Sequence, residues 1–215
     1  MSDEVDVYEG VDAAVSWDGR LCIGAAECGR AEGSLFVKGR KPWGDPDTGT
    51  PEEALEVVRR CPSGALSFRD KRGALAEEAP ADNTVTVASR GPYYLTGDLV
   101  IAGAPADMPG VTRRAALCRC GLSKIKPFCD NSHEADGFSD RGAVGERGAG
   151  RDATGGALEV KPAPNGPLLL SGNLRIVAGS GRVAWEGTKT ALCRCGHSKN
   201  KPFCDGSHRA AGFSG

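Results

Sequence analysis

A chain of 215 residues with 40% hydrophobic but only 6% aromatic content is long enough for one or two ordinary domains, yet short of the large side chains that fill a conventional core. Thirty-one glycines and thirteen prolines favour loops and turns over long helices. A net charge of −1 offers no electrostatic case for nucleic acid, and no apolar run approaches the length of a membrane span. The opening MSDEVDVYEG is acidic and lacks an apolar h-region, so no signal peptide is expected. Nine cysteines without an export signal imply a reducing cytoplasm.

In chain order, Ala13-Ala14-Val15-Ser16-Trp17 predicts a strand, followed by Leu21-Cys22-Ile23-Gly24-Ala25-Ala26-Glu27-Cys28. Thr50-Pro51-Glu52-Glu53 predicts a helix start, with Thr as N-cap, Pro at the first position and Glu three after the cap. That helix runs through Ala54–Val58 and delivers Cys61 at its end, ahead of Pro62. Ala65-Leu66-Ser67-Phe68 then predicts a second strand, able to pair with the first as an antiparallel ribbon. Bacterial ferredoxins hold a cubane cluster through C-x2-C-x2-C with a distant C-P. Here the middle position is Ala25, leaving C-x5-C…C-P. Three thiolates from Cys22, Cys28 and Cys61 suit a 3Fe-4S cluster; a 4Fe-4S cluster needs a fourth ligand, for which Glu27 is a nearby candidate. Three buried structural cysteines are the alternative. Together CIGAAEC, KPWGDPD at 41–47 and CPSGAL resemble the divergent single-cluster ferredoxin family, over roughly residues 8–70 of a unit bounded as 1–75.

Next come Pro92–Ile101, apolar residues alternating about Gly97, and Ala115-Ala116-Leu117; these predict a bent strand or short hairpin and a further short strand. The latter leads into Cys118-Arg-Cys120-Gly-Leu-Ser-Lys-Ile-Lys-Pro127-Phe-Cys129-Asp130-Asn-Ser-His133. Alternate residues of an extended segment point to one side, so Cys118 and Cys120 can chelate one metal ion. Cys129 and His133 are four apart, on one face of a helical turn. Asp130 is an N-cap candidate for that turn. Two such pairs suit the two irons of a rhombic 2Fe-2S cluster. Structural zinc accepts the same ligand set, although its sites usually use C-x2-C or C-x4-C knuckles. Disulfides are disfavoured, because cysteines one residue apart are poor partners and nine is an odd number.

A Gly- and Arg-rich stretch follows, read as a linker over 141–157. The motif then recurs as Cys193, Cys195, Cys204 and His208 at identical spacing. The offset of 75 residues that carries Cys118 onto Cys193 also aligns Gly91-Pro92 with Gly166-Pro167, Gly97 with Gly172 and Gly137-Phe138 with Gly212-Phe213. About half of the positions between 91 and 138 are identical in the second copy, the mark of an internal duplication. The units are bounded as 82–140 and 158–215.

The string Cys204-Asp205-Gly206-Ser207-His208, within C-x-C-x2-S-x3-P-x-C-D-x-S-H, resembles the CDGSH iron–sulfur domain of the NEET type. The first copy departs at Asn131, where the family has Gly. The resemblance implies one 2Fe-2S cluster per motif, with three cysteines and one histidine as ligands. It also implies β-rich units packed as a NEET-like pseudo-dimer in place of the homodimer of single-motif relatives. The fold class expected is therefore α+β: small metal-stapled domains, a ferredoxin-like one followed by two CDGSH units. CDGSH domains and divergent single-cluster ferredoxins occur side by side in bacteria, so a bacterial source is implied as well.

Three, three and three account for all nine cysteines. No Ser-His-Asp set, paired carboxylates, P-loop or dinucleotide fingerprint is present, so no enzyme is expected. Electron transfer is the leading expectation, with a reductase or electron acceptor as partner. Histidine ligation should raise the cluster potentials, as in Rieske centres. The alternative is cluster storage or transfer to an apo-protein, or redox and pH sensing, since protonating His133 or His208 weakens its bond to iron. Neither nucleic acid nor membrane is expected as a partner. Monomer and homodimer are both open. His197 reads as a surface residue, and Trp17, Trp43 and Trp185 as packing. Arg119 and Arg194, between paired cysteines, either tune the clusters or are solvated.

Overall fold

The computed structural model describes residues 5–215. In the N-terminal unit, β1 (Val5–Glu9), β2 (Ala13–Asp18) and β3 (Leu66–Asp70) form an antiparallel sheet in the order β1-β2-β3. The β2–β3 ribbon is the pairing expected from sequence, with Val15 opposite Phe68. The edge strand β1 carried no clear alternation to announce it. Between β2 and β3 lie the short helix α1 (Glu27–Arg30) and α2 (Pro51–Arg59). The α2 capping box is formed: Thr50 Oγ1 accepts from Glu53 N at 3.2 Å, and Glu53 Oε2 accepts from Thr50 N at 2.8 Å. Its apolar face, Ala54, Leu55, Val57 and Val58, is buried. Trp17 and Trp43 pack edge to face at 5.8 Å, and Phe36 and Tyr8 complete that aromatic cluster.

The rest of the chain builds a seven-stranded sheet. Its strands are β4 (Thr84–Val87), β5 (Tyr93–Thr96), β6 (Asp98–Ile101), β7 (Arg114–Leu117), β8 (Ala157–Pro162), β9 (Leu168–Val177) and β10 (Val183–Leu192). The path runs β6-β8-β9-β4-β5-β7, with β10 also on β9. Within each repeat the registers coincide under the 75-residue offset. Thr84 faces Thr96 as Glu159 faces Ser171, and Tyr93 faces Leu117 as Leu168 faces Leu192.

Between repeats the strands are exchanged. After Gly97, β6 leaves its own unit and runs parallel to β8, with Leu99 beside Leu158. The half of β9 beyond Gly172 runs parallel to β4, with Ile176 beside Val85. Both bends need glycine. At φ 154 and 131, a Cβ at Gly97 would stand 2.1 Å from Asn83 Oδ1, and one at Gly172 2.4 Å from Ala157 O. The exchange buries apolar residues on both sides: Leu174 and Ile176 of the exchanged half of β9, and Val85 and Leu158 of the receiving strands, are 0% exposed. Parallel pairing of this kind needs burial on both faces.

The stretch read as a linker has no strand or helix, but it does not hang free. A Cβ on Gly142 would meet Val87 O at 2.2 Å, and Gly150 N donates to Glu186 O at 3.0 Å. Val144 is buried, and Arg151 pairs with Asp82 and Glu186. Gly142 and Gly148 serve close approach, since a Cβ on either would run into the backbone of Val87 or Glu186. The buried residues of the N-terminal unit and of the large sheet form one contiguous cluster.

Candidate metal centres

Each C-x-C is the outrun of a strand. Beyond β7 the chain pairs back on itself through an antiparallel bridge between Leu117 and Phe128. Cys118 N donates to Pro127 O at 2.8 Å and Cys129 N to Ala116 O at 2.9 Å. The bridge lays the first ligand pair alongside the second. Leu192 and Phe203 repeat it, with Cys193 N to Pro202 O at 2.8 Å and Cys204 N to Ala191 O at 2.9 Å.

The pairs have chelating geometry. Cys118 Sγ and Cys120 Sγ are 3.8 Å apart, and Cys129 Sγ lies 3.5 Å from His133 Nδ1. The second copy has 3.7 Å and 3.5 Å for the same pairs. A tetrahedral ion with metal–sulfur bonds of about 2.3 Å sets two sulfurs about 3.8 Å apart, and sulfur and imidazole nitrogen about 3.5 Å apart. Each pair thus spans one tetrahedral edge. Among the described residues no three His, Cys, Asp or Glu side chains converge on a single ion. Two separate chelating pairs per motif fit a two-iron cluster better than one zinc. The donor set itself, three thiols and an imidazole, fits such a cluster.

Burial makes these thiols demand a cation. The Cys118 thiol is brought down to about 6 by the hydrogen bond from Cys120, which is driven up in turn because the two share a proton. A metal takes the place of that proton. Burial pushes the Cys129 thiol up to about 12, and it lowers His133, which keeps the imidazole neutral and able to ligate. Backbone N–H groups point at the sulfurs: Asn131 N at 3.4 Å from Cys129, and His197 N at 3.4 Å from Cys195.

The turn that presents His133 is built by Asp130. Its carboxylate accepts from Ser132 N at 3.0 Å and from Lys124 N at 2.8 Å, tying the helix α3 (Ser132–Ala135) to the loop before Pro127. The N-cap position belongs to Asn131, whose side chain caps nothing, so Asp130 acts from one residue earlier than a cap. Asp205 makes the same two contacts, with Ser207 N and Lys199 N, and the hydrogen bonds hold its carboxyl well below the usual carboxylate range.

Arg119 and Arg194 are not solvated. Arg119 is 1% exposed, donates to Gly91 O at 2.9 Å and pairs with Asp140. Arg194 donates to Gly166 O at 3.0 Å and, in place of a carboxylate, to Gly215 O at 2.7 Å. Each stacks on an aromatic ring, Phe138 at 4.8 Å and Phe213 at 5.2 Å. They clamp the hairpin before each motif to the tail behind it. His197 is exposed, as expected.

The two motifs also touch. A Cβ on Gly121 would stand 2.7 Å from Cys195 O, and one on Gly196 2.5 Å from Cys120 O. Tyr93, fully buried, donates across to Cys193 O at 2.9 Å, or equally to Pro202 O at 3.0 Å.

The third centre lies in the N-terminal unit. Cys22, Cys28 and Cys61 line one small cavity with Trp17, Pro62 and Leu66, and Glu27 stands at its rim. Cys61 Sγ is 3.6 Å from Ser63 Oγ. Burial raises the Cys28 thiol, with Cys61 and Cys22 close enough to add to the effect. Three thiols around one apolar cavity fit a cubane-type cluster, whose thiolates bind different irons.

This centre abuts the first motif. Ile23, next to Cys22, packs with Cys129, Ala116 and Tyr94. Its carbonyl accepts from the Asn131 amide. Arg114, leaving β7, donates to Cys61 O at 2.6 Å, Val58 O at 2.7 Å and the Glu77 carboxylate at 2.8 Å. Asn131 sits inside the first motif but not at a ligand position, and Tyr93 and Arg114 lie outside the motif. Their one sequence signal is that each breaks the repeat, since Gly206, Leu168 and Lys189 hold the equivalent positions.

Comparison with known proteins agrees with this division. The family described as iron-binding zinc finger, CDGSH type, matches residues 90–134 and again 165–209. The family described as divergent 4Fe-4S mono-cluster matches residues 8–71. The chain is 38% identical over 64 residues to the uncharacterized protein YjdI of Escherichia coli strain K12, a stretch of 30% of this chain and 84% of the relative. YjdI of Escherichia coli O157:H7 gives the same figures.

Proposed function

The chain belongs to the CDGSH iron–sulfur family, with two tandem units behind a divergent 4Fe-4S mono-cluster domain, and from that premise we propose that it is a multi-cluster electron carrier rather than an enzyme. Each CDGSH unit holds one 2Fe-2S cluster, through Cys118, Cys120, Cys129 and His133 or through Cys193, Cys195, Cys204 and His208. The N-terminal unit, read as ferredoxin-like, holds one 4Fe-4S or 3Fe-4S cluster on Cys22, Cys28 and Cys61. When bound, the clusters supply one-electron exchange. The chain supplies ligation, spacing and exclusion of water.

The observation that carries this reading is that Ile23, bonded to one ligand, shares a small buried cluster with Ala116 and Cys129, a ligand of the next centre. Such contact shortens the path between two centres inside one contiguous core. The two CDGSH units are read as a pseudo-dimer made within one chain. The reciprocal strand exchange and the Gly121 and Gly196 contacts support that reading. A redox partner protein completes the scheme, and the same ligand chemistry suits a reducing cytoplasm.

Iron and sulfide analysis of the purified protein should find about seven to eight irons per chain. A flavoprotein reductase should then reduce it rapidly, with no iron moving to an added apo-ferredoxin. Iron passing to the apo-ferredoxin without reduction would replace electron carriage by cluster delivery. That second reading is favoured by one observation, the half-buried Cys204 and His208 of the second unit.

A further inference from the structure

Two copies of one motif share a ligand set here without sharing an environment. In the first, Cys129 is 3% exposed and His133 8%; in the second, Cys204 and His208 are only half-buried. The cover over the first is the N-terminal unit. Ile23 shares a buried cluster with Ala116 and Cys129, and the Asn131 side chain donates to the Ile23 carbonyl.

Asn131 is one of three positions at which the first motif departs from the second, beside Leu122 against His197 and Ile125 against Asn200. Both residues are left-handed, Asn131 at φ 66 and Gly206 at φ 87. Glycine takes this conformation without strain, and asparagine is the side chain that tolerates it best. A Cβ on Gly206 would meet no atom within 4 Å, so no neighbouring segment packs where a side chain would begin there. The same turn is latched in one copy and open in the other.

We infer that Asn131 is a positioning residue that latches the Cys22–Ile23 loop over the first CDGSH site, making the two sites kinetically unequal. The second site surrenders iron first, and the first retains it. The exchange is of ligands, with no change of oxidation state. The Cys193, Cys195 and Cys204 sulfur–iron bonds and the His208 nitrogen–iron bond break, and a chelator's donors take both irons. The two bridging sulfides take protons from water and leave as hydrogen sulfide, and the freed thiolates are open to alkylation. The inference rests on the cluster binding proposed above and not on whether electrons or clusters are the cargo.

The test uses the purified iron-loaded protein, challenged with EDTA in the presence of iodoacetamide and mapped by peptide mass spectrometry. Cys193, Cys195 and Cys204 should be alkylated about five-fold or more ahead of Cys118, Cys120 and Cys129, a factor within the reach of one hydrogen bond. Asn131→Gly reproduces the residue of the second copy. It should speed alkylation of the first site toward the rate of the second, leaving the second unchanged. Asn131→Asp keeps the shape but cannot donate to the Ile23 carbonyl, and should behave alike. Equal rates at the two sites of the parent protein, or an unchanged first-site rate in both variants, overturns the latch alone. Protein that carries no iron overturns the latch together with the cluster reading beneath it.

Discussion

Arg114 ties the two halves of the molecule at a single side chain. Its side chain is 6% exposed and Glu77's is 13%, so the ion pair is held away from water. The remaining guanidinium donors go to the carbonyls of Val58, Cys61 and Leu66, which end α2 and begin β3. Removing one partner of a buried pair leaves an uncompensated charge. Arg114→Met should therefore lower stability by about 3–5 kcal/mol. Arg114→Lys, a point charge without the fork, should recover part of that loss. Urea titration of the iron-loaded protein checks both; a near-neutral Arg114→Met would show that the junction rests on apolar packing instead. At this scale the candidate ligands were legible, because chelation depends on spacing along a few residues. The partners of Arg114, Tyr93 and Asn131 were not, because they lie 37 to 109 positions away.

Among the elements, helix α2 and the strands feeding each C-x-C could be read from local chemistry: a capping box for the one, alternation or a short apolar run for the others. The early strands β4 and β8 could not. TVTV and ALEVKP are short, and their pairing is settled by β9 and β6 from the other unit. The close approach of the two motifs is likewise a matter between elements. Gly121 at φ 89 and Gly196 at φ 80 each face the other motif's cysteine carbonyl. Gly121→Ala and Gly196→Ala should cost about 1–3 kcal/mol each, from left-handed strain and the clash together. Because both report one contact, the double variant should cost less than the sum. Thermal midpoints of the three proteins decide it: one silent single variant would mean the contact is not reciprocal.

For the whole molecule, alkaline pH acts on the three tyrosines, which are all the chain has. Burial raises Tyr8, Tyr94 and, most of all, Tyr93 above the ordinary value of 10.0. Above pH 10 the unfolded chain has lost phenolic protons that the folded chain keeps, so unfolding gains on that side. The tyrosine contribution is complete below pH 10 and falls as pH rises beyond it. Phenolate absorbance, followed against pH alongside a thermal melt, should appear only past pH 10 and together with unfolding. A phenolate titrating below 10 in the folded protein would contradict the burial of these rings. The linker shows the same limit on sequence reading at larger scale. A Gly- and Arg-rich composition describes a flexible tether and a tightly laid strap equally well, and Val144 and Arg151 make it the second.

The duplicated C-x-C-x8-C-x3-H, the C-x5-C…C-P and the family they belong to follow from sequence alone, since metal ligation is written in short, local spacings. Tertiary structure alone decided that the two repeats exchange strands, that the N-terminal unit covers the first metal centre and leaves the second half-open, and that both arginines between the cysteines are buried. Those outcomes depend on which apolar faces and buried polar groups find each other across the chain. No segment carries that information by itself.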